Sequence, residues 1–390
     1  MSMDVDLTTD IIGPKFHLQK VKYELLDQFN LIKRSTKRAI VYINLESVFK
    51  RLIVAPVNDY IQASINMMDD QEEVMHKFER QLVSNVINLT QHYKRYFAKK
   101  HIDSKVVLYW NYPLPEDGFK NNKYIATYRA THSYKYLPSI NTAVLYDCME
   151  EAINFLQTCI QYVNDVYLVN GGRVEASLIP LILETEVFKV KKSGDGINLI
   201  ITSDRYDVAS AYYGFDLIDV STKAKTRITK YNAFEALQTR CGTKSALGAP
   251  AGFIEFALAL IGDDYRNIQS FSGFGPYIVS KTIHTKIIEG VITETTRDIN
   301  MLSRLIGDPQ LREVFIRNYH CTNFELQYKD LEPLDIHKIK SCIVDKYDEM
   351  TLYEMNEKYF KDCPIEHITN RYHNVLERDE ESPFSSLFNR

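Results

Sequence analysis

Short, nearly uncharged runs of β-branched residues alternate along this chain with longer stretches of helical spacing, and the alternation constrains the fold more than any other feature. AIVYINL (Ala39 to Leu45) and VVLYW (Val106 to Trp110) lack the polar alternation of a half-exposed strand, as expected of strands buried on both faces. Between them, Asp69-Asp70 opens a stretch in which Val74, Phe78, Leu82, Val86, Leu89, Tyr93 and Phe97 recur at threes and fours, the period of an amphipathic helix. VYLVN, NLIITS (Asn198 to Ser203) and FDLIDV continue the series, with a helix expected to open at Gly171-Gly172. Strand, helix and strand at this spacing predict an α/β fold with a mainly parallel sheet. Beyond Phe234 the pattern is helical, interrupted by one glycine-rich turn, SGFGP (Ser272 to Pro276).

Composition excludes several classes. With 390 residues, 45% of them hydrophobic and 25% charged, the chain is no disordered tail, collagen or coiled-coil rod. The 47 basic and 51 acidic residues give a net charge of −4, which excludes a binder that coats nucleic acid by bulk charge but leaves a local basic face open. No apolar run approaches the roughly 18 to 20 residues of a bilayer span, and MSMDVDLTTD is acidic where a signal peptide is basic. An intracellular, soluble protein with no membrane partner is therefore expected. The six cysteines form no CxxC pairs, which fits reduced thiols better than a disulfide framework. Cys342, Cys363, His367 and His373 near the end match no familiar zinc spacing.

The pattern divides the chain into a leader and helix (1–36), an α/β unit (37–233), a helical unit (234–330) and a C-terminal helical extension (331–390) whose last ten residues are expected to fray. Within the α/β unit, 113–138 breaks the alternation with a segment rich in Tyr, Lys, Arg and Asn.

Open parallel sheets place their sites at the C-terminal ends of the strands. Those positions hold Asn44, Asn111, Glu175 and the pair Asp204 and Asp207; Asp263 follows later, ahead of the turn Gly273-Phe274-Gly275-Pro276. A small, glycine-rich turn of this kind lets backbone N–H groups face a phosphate at a helix N-terminus.

In order and context, YINLES, VLYWN, RVEASLIP, ITSDRYD and GDDYRNIQSFSGFGP resemble the motifs of the flap endonuclease and 5′-to-3′ exonuclease family, over roughly Arg38 to Asp330. The resemblance implies a three-layer PIN-like domain, an arch-like insertion at 113–138 and a helix-hairpin-helix-like subdomain at 234–330. It also marks departures. Asn44 and Asn111 stand where the family has strand-end aspartates, Ser177 and Leu178 where it has a paired aspartate run, Tyr206 and Arg266 where it has two more. The surviving acids are Glu175, Asp204 and Asp263, with Asp207 and Asp264 beside them.

Two-metal hydrolysis needs carboxylates around ions about 3.5 to 4 Å apart. An amide in place of a carboxylate keeps an oxygen and drops the charge, and Arg266 brings a fixed cation. Glu175, Asp204 and Asp263 would hold at most one metal, weakly. The expectation is a catalytically inactive nuclease-like protein, requiring no cofactor, that binds DNA or RNA within a replication, repair or transcription assembly. Its binding elements would be Gly273, Phe274, Gly275 and Pro276 with Lys281 and Lys286, and the insertion. There Lys120, Lys123, Arg129 and Lys135 would meet phosphates and Tyr124, Tyr128, Tyr134 and Tyr136 would stack on bases. Two alternatives stay open: an active Mg- or Mn-dependent 5′ nuclease using Glu175, Asp204, Asp207, Asp263 and Asp264, and a protein-docking scaffold that binds no nucleic acid. Locally, Asp204 and Asp207 also suit a helix cap, and SGFGP a structural bend. The Asn-, Ile-, Lys- and Tyr-rich composition suits an AT-rich genome and hence a viral or phage source.

Overall fold

A computed structural model describes residues 36–48, 71–110, 142–160, 163–190, 194, 196–219, 226–240, 254–263, 266, 268–269 and 309–344. The expected helix at 16–34, the insertion at 113–138, the SGFGP turn and the last ten residues lie outside them.

The buried-strand runs form a six-stranded sheet of order β3-β2-β1-β4-β5-β6. Its strands are β1 (Arg38–Asn44), β2 (Asp103–Trp110), β3 (Val166–Asn170), β4 (Gly196–Thr202), β5 (Asp216–Asp219) and β6 (Thr226–Ile228). The first five run parallel, and β6 closes one edge antiparallel to β5. β1 lies in the middle, with Tyr42 opposite Val107 on one side and Ile200 on the other. Every residue of β1 after Arg38 is buried, which is why the run carries no alternation.

Both faces of the sheet are covered. Ile40, Tyr42, Val107, Tyr109, Tyr167 and Ile200 join one apolar cluster, while their neighbours Val41, Ile43, Val106 and Leu108, equally buried, point the other way. α1 (Gln71–Ala98) and α2 (Thr142–Ile160) pack on each other and on β2 and β3, and none of their described side chains belongs to the first cluster. They cover the second face, giving the helix–sheet–helix layering of an α/β fold. α1 stops at His101, whose left-handed backbone (φ 55°) lets Ile102 donate its N–H to the Phe97 carbonyl at 3.0 Å.

The helix expected at Gly171-Gly172 starts later. Gly172 turns with φ 56° while its N–H donates to Asn170 Oδ1 at 2.8 Å, so the chain first reverses tightly off β3. Only then come a 3-10 turn (Ala176–Leu178) and the short α3 (Ile179–Leu183). β6 carries no sequence signal: three residues with a central Arg227, held at the edge by a 2.8 Å ion pair to Asp216.

The later helices α4 (Ala233–Arg240), α5 (Ile254–Ile261), α6 (Pro309–Thr322), α7 (Phe324–Lys329) and α8 (Pro333–Ser341) are those the helical reading beyond Phe234 expects. Phe256 of α5 and Phe315 of α6 meet edge to face at 5.0 Å within the same cluster as the strand residues. The buried Glu255 joins α5 to the α6–α7 corner, accepting from Asn323 Nδ2 at 2.7 Å, the Phe324 N–H at 2.9 Å and the Tyr213 hydroxyl at 2.8 Å. Among the described residues, no helix is long and apolar enough to cross a membrane.

Candidate functional site

Because β1 is flanked by β2 on one side and β4 on the other, the chain leaves the sheet in opposite directions from neighbouring strands. The crevice at their C-terminal ends is the switch point where α/β proteins place ligands. Asn44 ends β1, Asp204 and Asp207 follow β4, and Glu175 follows β3. The fourth side is closed by the segment after α5, where Asp263 and Ile268 exchange two backbone hydrogen bonds of 2.8 Å each. That small closed loop carries Arg266, whose N–H donates to the Asp263 carbonyl at 3.1 Å.

Arg266 points into the crevice and gathers the acids around itself. Its Nη2 donates to Asp204 Oδ2 at 2.6 Å and to Glu175 Oε1 at 3.0 Å; Nη1 donates to Asp263 Oδ2 at 3.0 Å and to Asp204 Oδ1 at 3.4 Å; Nε reaches Glu175 Oε1 at 3.3 Å. These contacts are as many as a guanidinium has N–H groups. The Arg266 side chain is only 3% exposed, against 4% for Glu175, 7% for Asp263 and 17% for Asp204. Burial at this depth removes most solvent screening, so the charge-assisted bonds are strong and any unpaired member would be costly. Under the guanidinium lies the Tyr206 ring, 4.0 Å from its centroid to the central carbon. Burial first, and then the nearby Asp263 charge, pushes the Tyr206 hydroxyl well above its ordinary pKa.

A second polar group sits beside the first. Asp207 is fully buried on a 3-10 turn (Tyr206–Ala211), and its Oδ2 accepts from Asn44 Nδ2 at 3.0 Å, from Tyr109 at 3.4 Å and from the Thr202 hydroxyl. Asn44 Oδ1 in turn accepts the Ser47 N–H at 3.1 Å, so this amide serves as a two-way connector. Burial and then the negative charge of Asp204 raise the Asp207 carboxyl to about 6, with the Thr202 and Asn44 hydrogen bonds acting in the opposite direction.

Of the residues singled out along the sequence, seven converge in space: Asn44, Glu175, Asp204, Asp207, Tyr206, Asp263 and Arg266. Asp204 does both of the things its sequence context allows. It accepts the Tyr206 N–H at 2.9 Å as a turn cap and pairs with Arg266. Ser177 and Leu178 are buried on the turn after Glu175, Leu178 within the apolar cluster. Asn111, Asp264, Gly273, Phe274, Gly275, Pro276, Lys281 and Lys286 lie outside the described residues, as do Lys120, Lys123, Tyr124, Tyr128, Arg129, Tyr134, Lys135 and Tyr136.

Sequence reasoning missed Arg205, Thr202 and Tyr109. Arg205 donates to the Gly262 carbonyl at 2.7 Å and lies 3.5 Å from Asp263, a second cation at the rim. A basic residue directly after the strand-end Asp204 was its only local signal. Thr202 and Tyr109 read as ordinary β-formers, and only the tertiary fold turns their hydroxyls toward Asp207.

No protein-family model matches the chain, and no curated protein matches it. Among solved structures it is similar to a flap endonuclease pseudo-enzyme–product complex with DNA and metal ions from bacteriophage T5, with a TM-score of 0.45 and 12% identity over 85% of this chain and 100% of that one. It is also similar to a T5 5′-exonuclease with divalent metal ions (zinc) bound, with a TM-score of 0.43 and 10% identity over 87% of this chain and 99% of that one.

Proposed function

We propose that this chain is a nuclease-like protein that binds structured or single-stranded nucleic acid without hydrolysing it. Two lines support the reading: the order of strand-end motifs, which resembles that of the flap endonuclease family, and the gathering of those same positions at the C-terminal ends of a parallel sheet. One observation carries the non-hydrolytic half. The centre of the acid group is filled by the Arg266 guanidinium, within 3.0 Å of an oxygen on each of Glu175, Asp204 and Asp263.

Metal-assisted phosphodiester cleavage in such a site would need those oxygens turned toward two divalent ions. Here they are turned toward a cation that carries no water to ionise and no vacant coordination position. The carboxylates present do not fit a pair of metals in this arrangement. A phosphate backbone would meet Lys120, Lys123, Arg129 and Lys135 of the insertion and the backbone N–H groups of Gly273 to Gly275 in the turn closed by Pro276, with a replication, repair or transcription assembly as the setting.

The decisive experiment uses a labelled 5′-flap substrate with Mg²⁺ or Mn²⁺, beside a Glu175→Ala/Asp204→Ala control. The expected result is no cleavage, with binding in EDTA that weakens steeply as salt rises. Cleavage that disappears in the control would establish instead a metal-dependent nuclease using Glu175, Asp204, Asp207, Asp263 and Asp264. Absence of both cleavage and binding would leave the docking scaffold.

A further inference from the structure

We infer that Arg266 is the built-in cation of the strand-end site, a fixed cross-link for Glu175, Asp204 and Asp263 that makes this part of the fold complete without a divalent ion. The inference rests on the reading above only in taking the site to be metal-free.

The geometry is that of a planar fork rather than of a point charge. Nη1 and Nη2 each serve two carboxylates, and Nε adds a second contact to Glu175. The carboxylates come from after β3, from after β4 and from the loop after α5, so one side chain ties together three segments far apart in sequence. The loop bearing Arg266 is itself fixed. Asp263 and Ile268 close it, and Asn318 Nδ2 on α6 donates to both the Ala259 and Gln269 carbonyls, at 3.0 and 2.8 Å. Tyr206 supplies an aromatic face for the delocalised cation, which an ammonium or a hydrated metal ion would not use in the same way. Without the guanidinium, three buried or half-buried carboxylates would face one another.

The cavity left by removing this side chain should accordingly select small guanidinium compounds. The test is thermal unfolding of the full chain. Wild type should melt at the same temperature in EDTA and in excess Mg²⁺ or Mn²⁺. Arg266→Ala should melt lower by about 5 °C or more. Millimolar methylguanidinium should recover part of that loss, while equal concentrations of methylammonium or NaCl should not. Arg266→Lys, which keeps the charge but not the fork, should melt below wild type and decides the matter if the alanine variant does not fold. A wild-type melting point raised by divalent ions would overturn the inference. So would an Arg266→Ala or Arg266→Lys protein as stable as wild type, or rescue by methylammonium equal to that by methylguanidinium. Failure of wild type to bind nucleic acid sinks the functional reading above and leaves these melting results standing.

Discussion

Arg266 and Tyr206 stack on one another, guanidinium over ring at 4.0 Å, although 60 positions separate them in the chain. The tyrosine gives the buried arginine a face to rest on, so the two residues form a matched pair.

Tyr206→Leu is expected to cost about 2 kcal/mol, through the lost cation–π contact and packing. Tyr206→Phe should be neutral or slightly stabilising, because among the described residues the buried Tyr206 hydroxyl has no hydrogen-bond partner. Denaturant unfolding of the two variants measures the difference; a phenylalanine variant as weak as the leucine one would place the energy in the hydroxyl.

Glu175 and Arg266 share two hydrogen bonds in a dry site, so their energies should not add. A double-mutant cycle with Glu175→Gln and Arg266→Gln is expected to give a coupling of about 2 kcal/mol, nearly unchanged up to about 0.5 M salt because burial limits screening. Coupling that vanishes with salt would mean the pair is solvated.

Asp207 sets a pH dependence whose sign follows from its raised carboxyl. With a folded value of about 6 against an ordinary 3.8, the native state holds a proton that the unfolded chain has already released. Its contribution is present below about pH 4 and is lost as pH rises through about 6, a change of about 3 kcal/mol. Asp207→Asn, which keeps one side-chain oxygen as an acceptor toward Asn44, Tyr109 and Thr202, should therefore gain on wild type as pH rises from about 4 to about 7, across that window. Unfolding curves at the two pH values measure it, and an unchanged difference would show that Asp207 does not titrate there.

Asn44→Asp introduces a strand-end carboxylate and removes the amide that donates to Asp207 at 3.0 Å. Two buried carboxylates at that distance repel, so a loss of about 2 to 4 kcal/mol is expected at neutral pH and a smaller one near pH 5, where the pair shares a proton. A variant with full stability at neutral pH would show that the crevice admits a compensating cation.

The sheet is the part of the fold most readable from sequence. Runs such as Ala39 to Leu45 are apolar throughout because both faces are covered, and that pattern is local. β6 was unreadable, since three residues with a central arginine become a strand only by pairing with β5. Gly171-Gly172 suggested a helix start, but turn chemistry at Asn170 and Gly172 delays it. In the site, Asn44, Glu175, Asp204 and Asp263 were found by their places after strands or before the turn. The role of Arg266 was half legible: the sequence marks it as a fixed cation among acids, but it becomes their centre only through contacts to Glu175 and Asp204, 91 and 62 positions away. Nothing in the local sequence encodes such pairings.

The central position of β1 also fixes an order of assembly. Arg38 pairs with Gly196, so as the chain leaves a ribosome at about 5 to 20 residues per second, one edge of the earliest described strand waits on the order of ten seconds or more for its neighbour. Until then Ile40 and Tyr42 lack the strand that lies beside them, and the acids that Arg266 will bind are not yet together. Newly made chains are therefore most vulnerable to aggregation during that interval, and synonymous codon changes that slow translation before Gly196 should lower soluble yield without altering the finished molecule.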